Sequence, residues 1–387
     1  MIIDCVFKNV TIFDGKYLQE NKTVFISKEK ILDVIECQAY SKKNCVEIEG
    51  NGNILVPGFI DIQVNGGGGY FFNDEPRLAC LQKIRDAHLQ YGTTSILPTF
   101  ISDSFQKMKQ ALLAVQEACH KFENGILGIH LEGPYLNLQK NGIHNKKNIR
   151  PPLKQEIDYI CQFPLPIKLV TLAPELISKS ILEELQKNNV FIFAGHTNAT
   201  FEEMQQAFAS GVVGITHFFN ACSPFLSRAP GVVGAGLLNN EIWCGLIADG
   251  LHVSFDSIKI AFKAKSTTHF ILVSDAMSPV GTDISEFSIH DQKIMVKKNS
   301  SIPTYVDQHG TLAGSALTMH QALKNIVLQN CASLSEALAM TSTNPAKCLH
   351  LEAIKGRIQP NYDADVVLLN KDNLNLIHVM QSGAIIK

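Results

Sequence analysis

The sequence lacks an excess of charge of either sign, and this lack argues against one class of function. Its 387 residues include 34 basic and 36 acidic side chains, which give a net charge of -2. Proteins that bind nucleic acid usually carry a basic face, because contacts to phosphate supply much of their affinity. We therefore expect no nucleic-acid partner.

Long apolar runs are also missing. Although 45% of the residues are hydrophobic, no run approaches the roughly 20 residues that a membrane-spanning helix needs. Residues 1–4 lack the basic and apolar stretches of a secretory signal. We therefore expect no membrane partner and predict a cytoplasmic location.

The ten cysteines form no Cys-x-x-Cys pair, so neither a zinc ribbon nor a dithiol redox motif is expected. Unpatterned cysteines in a large chain are typical of a reducing compartment. The glycine run at 66–69 lacks the Gly-Lys-Ser/Thr that would complete a nucleotide-binding loop. We interpret this run as a turn in which the backbone approaches a neighbour closely.

Eight short apolar runs dominate the middle of the chain, and most are followed by a helix-like segment. A strand followed by a helix, repeated about eight times, is typical of a (β/α)8 TIM-type barrel and hence of the α/β class. Helices are predicted at 78–91, 105–120, 178–188 and 200–210, the last with a capping residue at its start. The predicted strands are 59–64, 95–99, 126–132, 168–173, 190–196, 212–217, 243–249 and 270–275.

Both ends of the chain consist of short strand-like segments and turns. The segments 6–13 and 365–369 are examples of such strands. Neither end has an obvious core of its own, so we predict one small β-sandwich domain assembled from both termini. We expect this domain to comprise residues 1–56 and 357–387, and the barrel to comprise residues 57–356.

Four ionisable residues close predicted strands: Glu132, His196, His217 and Asp275. The carboxyl ends of barrel strands converge on one mouth, so these side chains are expected to meet there. Two imidazoles and a carboxylate suit a divalent metal and leave a position open for water. Alone, Glu132 would more often cap a helix or pair with an arginine; the two histidines favour a metal. For Asp275 a metal ligand, a helix cap and a general base all stay open.

Other polar residues lie beyond the strands or in loops, where barrel enzymes contact their substrates. Arg228 and His252 together could hold an anion such as phosphate. Alone, Arg228 could equally form a surface salt bridge, and His144 could be an ordinary loop residue. The full set is Gln63, Asn65, His144, Asn220, Arg228, Asp249 and His252.

Several long motifs in the right order resemble the amidohydrolase superfamily and, within it, the family of N-acetylglucosamine-6-phosphate deacetylases. The resemblance covers essentially the whole chain. Its motifs lie at 57–61, 130–134, 172–175, 194–200, 216–221, 248–252, 274–276, 311–315 and 343–346.

This resemblance implies one divalent metal on Glu132, His196 and His217, with zinc as the first choice and iron, cobalt or manganese as alternatives. It implies Asp275 as catalytic base and acid, and the corresponding mechanism uses His144 to stabilise the oxyanion. It places Arg228 near the substrate phosphate. The implied sugar contacts are Ile143, His144, Asn220, Ala221, Asp249, His252, Leu312, Ala313 and Gly314.

In one place the sequence departs from the superfamily pattern. Many amidohydrolases hold a second metal on a His-x-His motif after the first barrel strand, but here that place is Gln63-Val64-Asn65. We therefore expect a single metal, with Gln63 hydrogen-bonded to water near the position that the second metal would otherwise occupy. No lysine ends the fourth predicted strand, so no carbamylated lysine is expected.

The implied reaction converts N-acetyl-D-glucosamine 6-phosphate into D-glucosamine 6-phosphate and acetate, in amino-sugar catabolism and recycling. The expected partners are this small sugar phosphate and a second copy of the chain, in a homodimer or a tetramer. In such an oligomer Arg228 and His252 could serve the neighbouring site.

Two alternatives stay open. One is a cyclic-amide hydrolase or deaminase on the same scaffold, because barrels host many chemistries. The other is a barrel that has lost catalysis and serves as a sugar-phosphate sensor or an assembly partner. The missing His-x-His and the pair of Arg228 and His252 argue against the first, and the retention of all four strand-end residues argues against the second.

Overall fold

The computed structural model describes residues 3–37, 45–121, 125–289, 292–297, 303–310 and 312–387. Thr311, which belongs to one of the motifs above, lies outside the described residues, as do Met1 and Ile2 at the start considered for a signal peptide. Within the described ranges, none of the helices combines the length and the hydrophobicity needed to cross a bilayer.

The strands are numbered in chain order. They are β1 (Cys5–Phe13), β2 (Leu18–Ser27), β3 (Lys30–Glu36), β4 (Val46–Glu49), β5 (Ile54–Pro57), β6 (Phe59–Val64), β7 (Gly66–Gly67), β8 (Tyr70–Phe71), β9 (Thr93–Ile101), β10 (Ile129–Glu132), β11 (Lys168–Leu172), β12 (Val190–Ala194), β13 (Val212–Ile215), β14 (Trp243–Leu246), β15 (Phe270–Leu272), β16 (Glu286–Ile289), β17 (Gln292–Lys297), β18 (Thr304–Val306), β19 (Val366–Leu369), β20 (Leu376–Gln381) and β21 (Ala384–Ile385).

The helices are numbered in the same way. They are α1 (Leu78–Leu89), α2 (Phe105–Lys121), α3 (Lys154–Gln162), α4 (Lys179–Lys187), α5 (Phe201–Ala209), α6 (Gly231–Leu238), α7 (Phe255–Ala264), α8 (Met319–Leu328), α9 (Leu334–Leu338) and α10 (Asn344–Cys348). Short 3-10 turns occupy Leu138–Lys140, Pro174–Leu176 and Thr267–His269, and a π-helical turn occupies Ala339–Thr343.

Eight parallel strands form the barrel, in the order β15-β14-β13-β12-β11-β10-β9-β6. The two outer strands approach each other through a bridge between Val64 and Ala276, so the barrel nearly closes. The four predicted helices correspond to α1, α2, α4 and α5 to within two residues at each end. Thr200 caps α5 in a reciprocal capping box with Glu203. The predicted fold class is confirmed.

The two chain termini share one sheet, as predicted. Its strand order is β21-β20-β19-β5-β1-β2-β3, with β4 pairing with β1. The pairing of β5 with β19 joins the two ends of the chain, for example Val56 opposite Val367. The sheet has its own hydrophobic cluster, which includes Phe7, Val24 and Leu55. The domain boundaries given above stay a prediction.

A small antiparallel sheet, β16-β17-β18, was not predicted. It is inserted between Asp275 and Leu312, and it packs in a cluster with Met277 and other residues next to the barrel mouth. The backbone N–H of Ala313 donates to Tyr305 O at 3.1 Å. This insertion therefore fixes the loop that carries Leu312 and Gly314.

The glycine run at 66–69 forms the tight turn that the sequence predicts. Gly66 and Gly67 belong to β7, which pairs with β8. Gly68 and Gly69 have φ values of +62° and +86°, which non-glycine residues rarely adopt. A Cβ atom on Gly66 would lie 2.5 Å from Tyr70 O, so the close approach of the backbone requires glycine there.

A buried ion pair connects the end of the barrel to the terminal sheet. Lys355 Nζ lies 2.9 Å from Asp363 Oδ2 and 2.6 Å from Asp365 Oδ2. Burial lowers the pKa of Lys355, but the two carboxylates outweigh this effect and raise it overall. The stabilisation is therefore fully present at neutral pH, and it is lost only as the pH rises through the raised pKa.

We expect Lys355→Met to lower the free energy of unfolding by about 3–5 kcal/mol, because it leaves the buried Asp365 without its cation and Asp363 with the half-exposed Lys30 alone. Urea unfolding at pH 7 measures this loss. Lys30→Met is the matched control, since Lys30 Nζ also contacts Asp363 at 2.6 Å but its side chain is 49% exposed. The control should cost about 1 kcal/mol or less. Equal losses in the two variants would contradict the role of burial.

Candidate active site

Three buried side chains converge at the carboxyl ends of three barrel strands, β10, β12 and β13. Glu132 closes β10, whereas His196 and His217 each lie two residues beyond β12 and β13. The Nε2 atoms of His196 and His217 lie 3.0 Å and 2.9 Å from Glu132 Oε1, and 3.0 Å from each other. The cluster could therefore hold a metal ion, with one ligand atom from each residue.

The backbone is strained at the two histidines and at Asp275. Their φ values are +47° for His196, +32° for His217 and +51° for Asp275. This left-handed conformation costs a non-glycine residue about 1–3 kcal/mol of conformational free energy, and such residues cluster at functional sites. The strain explains why β12 and β13 end before their histidines: a left-handed residue cannot continue an extended strand.

The ring of His196 is oriented by a hydrogen bond at Nδ1, the ring nitrogen that does not face the cluster. Its Nδ1 lies 2.7 Å from Lys140 O, and because a carbonyl only accepts, Nδ1 carries the proton. The lone pair of Nε2 then faces Glu132 and His217. A metal-binding histidine usually has such a second partner, which fixes its tautomer and ring orientation. The donor set and its orientation fit a divalent metal.

The charges of the cluster suit a cation. Burial raises the pKa of Glu132, but the contacts of its carboxylate with His144, His196 and His217 outweigh this effect and hold the pKa well below its usual range. Burial and nearby His144 lower the pKa of His196 to about 4. Burial also opposes a charge on His217, yet its hydrogen bond to Glu132 raises the pKa overall. The buried carboxylate thus favours one positive charge here, either a proton or a metal.

Two amide side chains hold Asp275, and one of them, that of Gln63, links it to this cluster. Asn65 Nδ2 and Gln63 Nε2 donate to Asp275 Oδ1 at 2.6 Å and 3.1 Å. Gln63 Nε2 also lies 3.3 Å from Glu132 Oε2. Burial and the charge of Glu132 raise the pKa of Asp275. A carboxylate that binds a proton more readily than usual is suited to accept one and release it later.

His144 presents a hydrogen-bond donor towards the cluster. The backbone N–H of Ser102 donates to His144 Nδ1 at 3.3 Å, and the Ser102 hydroxyl lies 2.9 Å from the same atom. Nδ1 is therefore an acceptor, which assigns the proton of a neutral ring to Nε2. This atom lies 3.8 Å from Glu132 Oε1. His144 can thus donate to an oxygen atom near the three predicted ligands.

A cavity of about 380 Å³ opens over these groups. Sites for small molecules usually enclose about 300–1,000 Å³. The three predicted metal ligands and Asp275 line it. Of the other predicted site residues, those that line the cavity are Ile143, His144, Asn220, Ala221, His252, Leu312 and Gly314.

Four predicted site residues lie elsewhere. Gln63 donates its side-chain hydrogen bonds to the two carboxylates described above, and Ala313 is fully buried. Asp249 accepts from His252 Nδ1 at 2.6 Å and from the backbone N–H of His252 at 2.8 Å, so it orients a cavity residue. Arg228 is exposed on a turn in which Leu226 and Ala229 pair.

The sequence did not single out Lys140, which also lines the cavity. It ends the 3-10 turn Leu138–Lys140 in the loop after β10, and it is half-buried. The available signal was a cation in the loop that follows the strand of Glu132. Asn65, one of the polar residues singled out from the sequence, lines the cavity as well. The other cavity residues, which the sequence did not single out, are Phe71, Ile101, Gln139, Ile247 and Met277.

The sequence profile of the amidohydrolase family matches residues 54–386. The chain belongs to the amidohydrolase family. This family is metal-dependent, and the cluster of Glu132, His196 and His217 is the possible metal site of this amidohydrolase.

Several named proteins are similar to this amidohydrolase. N-acetylgalactosamine-6-phosphate deacetylase from Shewanella sp. (strain ANA-3) is 40% identical over 318 residues, which cover 82% of this chain and 79% of that protein. N-acetylglucosamine-6-phosphate deacetylase from Haemophilus influenzae is 31% identical over 378 residues, or 97% of each chain. The crystal structure of N-acetylglucosamine-6-phosphate deacetylase from Pasteurella multocida has a TM-score of 0.93 at 32% identity and covers 98% of each chain.

Proposed function

We propose that this amidohydrolase removes the acetyl group from N-acetyl-D-glucosamine 6-phosphate, giving D-glucosamine 6-phosphate and acetate. The observation that carries the proposal is the placement of Asp275 beside the cluster of Glu132, His196 and His217, in one cavity. The relatives named as deacetylases of this sugar phosphate support the choice of substrate. The reaction would serve amino-sugar catabolism and recycling.

One divalent metal would be held by Glu132, His196 and His217, with zinc as the first choice. When bound, it would supply a Lewis acid that activates water and polarises the acetamide carbonyl. His144 would donate its Nε2 proton to the oxygen on which negative charge develops.

Asp275 would move the proton. As a carboxylate it accepts the proton of the attacking water, and as an acid it returns that proton to the leaving nitrogen. The C–N bond breaks at this step, and the products are acetate and the free amine. The amides of Asn65 and Gln63, which both donate to Asp275 Oδ1, would keep Oδ2 available for this exchange.

The phosphate would bind at the basic side of the cavity. Beyond the cluster itself and His144, the basic side chains of its described lining are Lys140 and His252. We also propose a homodimer in which Arg228 reaches the partner's cavity. Its turn carries Phe225 and Leu226, which are 62% and 56% exposed, and adjoining exposed apolar side chains often mark an interface.

We expect Arg228→Ala to lower kcat/KM about 10- to 100-fold for the phosphorylated substrate, because a hydrogen bond to a charged group contributes about 1.5–3 kcal/mol. Unphosphorylated N-acetylglucosamine should lose little. Steady-state kinetics with both substrates measure the difference. Arg77→Ala, another exposed arginine, is the control. Equal losses for both substrates would deny Arg228 a phosphate role.

Mixed dimers test whether Arg228 acts in the neighbouring subunit. A subunit with Arg228→Ala keeps Asp275, and a subunit with Asp275→Asn keeps Arg228. If Arg228 acts across the interface, mixing the two variants creates one complete site per mixed dimer and raises activity above that of either parent. No gain on mixing would place Arg228 in its own subunit's site.

A second substrate is favoured by one observation: the Shewanella relative, at 40% identity, is an N-acetylgalactosamine-6-phosphate deacetylase. The two sugar phosphates share the acetamide and the phosphate, and they differ in the configuration of one ring hydroxyl. The proposed roles of Asp275 and His144 hold for either. The preference would lie in the contacts to that hydroxyl.

The deciding experiment follows product release by purified protein of known metal content. Acetate release from N-acetylglucosamine 6-phosphate, at a higher kcat/KM than from the galacto epimer, is the expected result. The reverse preference would make the galacto compound the substrate. Ammonia release would favour a deaminase, and no turnover by metal-loaded protein would favour a non-catalytic sensor.

Three further features belong to this proposal. We place the domain boundaries at 1–56 with 357–387 for the terminal sheet and 57–356 for the barrel. The location would be cytoplasmic, which agrees with the absence of any disulfide among the ten cysteines, all of which the structure describes. The partner would be an amino-sugar phosphate and not a nucleic acid or a membrane.

A further inference from the structure

Glu175 lies in the 3-10 turn Pro174–Leu176, which follows β11, and it is half-buried. Its carboxylate does not belong to the cavity lining described above. We infer that Glu175 is a positioning residue that holds His196 in its strained conformation and thereby sets the affinity of the site for its metal. The inference rests on the proposed metal site and adds a residue to which no role has been given so far.

The first contact of Glu175 is with the chain immediately after His196. The backbone N–H of Asn198 donates to Glu175 Oε1 at 2.8 Å, and the Thr197 hydroxyl donates to Glu175 Oε2. These two residues follow the left-handed turn at His196, where φ is +47°. A left-handed residue persists only where its surroundings over-determine it. Glu175 supplies two of the contacts that do so.

The second contact reaches the same histidine from the other side. Asn137 Nδ2 donates to Glu175 Oε1 at 2.9 Å, and the backbone N–H of Asn137 donates to His196 O at 2.9 Å. The side chain of Asn137 also accepts from the backbone N–H of Gln139, which caps the 3-10 turn Leu138–Lys140. That turn ends at Lys140, whose carbonyl accepts from His196 Nδ1.

The contacts form a closed loop through the backbone and the ring of His196. One arm runs from Glu175 through Thr197 and Asn198, and the other runs through Asn137 to the carbonyl of Lys140. Glu175 is suited to this position because an ionised carboxylate only accepts, and all three of its contacts here are donors. A glutamine could keep its oxygen towards Asn198 and Asn137, but its NH₂ group would then face the Thr197 hydroxyl, which would have to accept the hydrogen bond that it now donates.

The test is the metal affinity of Glu175→Gln, measured by competition with a chromogenic chelator for Zn²⁺ or Co²⁺. Residues behind a metal ligand typically contribute about 10- to 100-fold to metal affinity, and we expect a loss in this range. At saturating metal, kcat and KM should return close to the wild-type values. A loss of folding alone would lower the number of metal sites titrated per chain, whereas a loss of positioning lowers the affinity of sites that are all present.

Glu336→Gln is the matched control. Glu336 also accepts three hydrogen bonds, from Ser333 N, Ser333 Oγ and Thr267 Oγ1. Thr267 precedes β15, so this carboxylate lies at the amino end of the barrel strands, away from the cavity. The control should bind metal with wild-type affinity. Asn137→Ala removes only the side-chain hydrogen bonds of the second arm. It should also weaken metal binding. This variant replaces Glu175→Gln in the test if Glu175→Gln fails to fold.

The outcomes separate this inference from the proposed function. Wild-type metal affinity in Glu175→Gln, or in Asn137→Ala if only that variant folds, would overturn the positioning role. A weakened metal site in a protein that does not release acetate would support the role and refute the substrate. A wild-type protein that binds no metal would overturn both.

Discussion

Asp275→Asn is expected to lower kcat at least about a hundredfold, which is the low end of what a general acid–base contributes. The substitution is nearly isosteric, and asparagine tolerates a left-handed backbone well, so the φ of +51° can be kept. Metal content should stay near one per subunit, because Asp275 is not among the three predicted ligands. Stopped assays of acetate release, together with metal analysis of the same samples, check both expectations.

Asp283→Asn provides the comparison for this variant. Asp283 is exposed in the loop that follows Asp275, and the same chemical change there should leave kcat unaltered. If Asp275→Asn turned over at a near-normal rate, Asp275 would play no part in proton transfer. If it lost its metal together with its activity, Asp275 would have to be counted among the ligands.

Removal of the metal is expected to lower kcat/KM about a thousandfold or more, since a Lewis acid supplies several kcal/mol of transition-state stabilisation. The melting temperature should fall as well, because a ligand that binds only the native state stabilises it. Dialysis against a chelator, followed by titration with Zn²⁺, Co²⁺ or Mn²⁺, measures both effects. About one equivalent per subunit should restore them.

His217→Ala should reproduce the loss, and one equivalent of metal should not repair it. His309→Ala is the comparison, because His309 is exposed and its loss should change neither stoichiometry nor turnover. Full activity after exhaustive chelation would refute a metal role for the cluster. Restoration only by two equivalents would refute the single-metal site that the Gln63-Val64-Asn65 sequence predicts.

The sequence predicted the architecture well because the patterns that indicate its strands and its helices are both local. A buried parallel strand is a short apolar run, and a helix has its own period and its own cap, as at Thr200. The rule that strand ends meet at one mouth then brought Glu132, His196 and His217 together without any knowledge of the loops. The structure places them within hydrogen-bonding distance.

The sequence could not predict how the loops fold back. Nothing in the local pattern indicates that Gln63 donates hydrogen bonds to two carboxylates, or that Asp249 accepts a hydrogen bond from His252. The strands at 190–196 and 212–217 were predicted two residues too long, because apolar pattern carries no information on a left-handed φ. The insertion β16-β17-β18 was missed because its strands have only 4, 6 and 3 residues, too few for a pattern to be distinguished from loop sequence.

The terminal sheet has a consequence for how the protein is made. Strand β5 emerges early, but its partner β19 begins only at Val366. At about 5–20 residues per second, translation of the intervening barrel takes on the order of 15–60 s. Throughout that time the edge of β5 that will pair with β19 is open, and an open strand edge can pair with another chain. A chain whose translation ends shortly before β19 would therefore be prone to aggregation, even though its barrel is nearly complete.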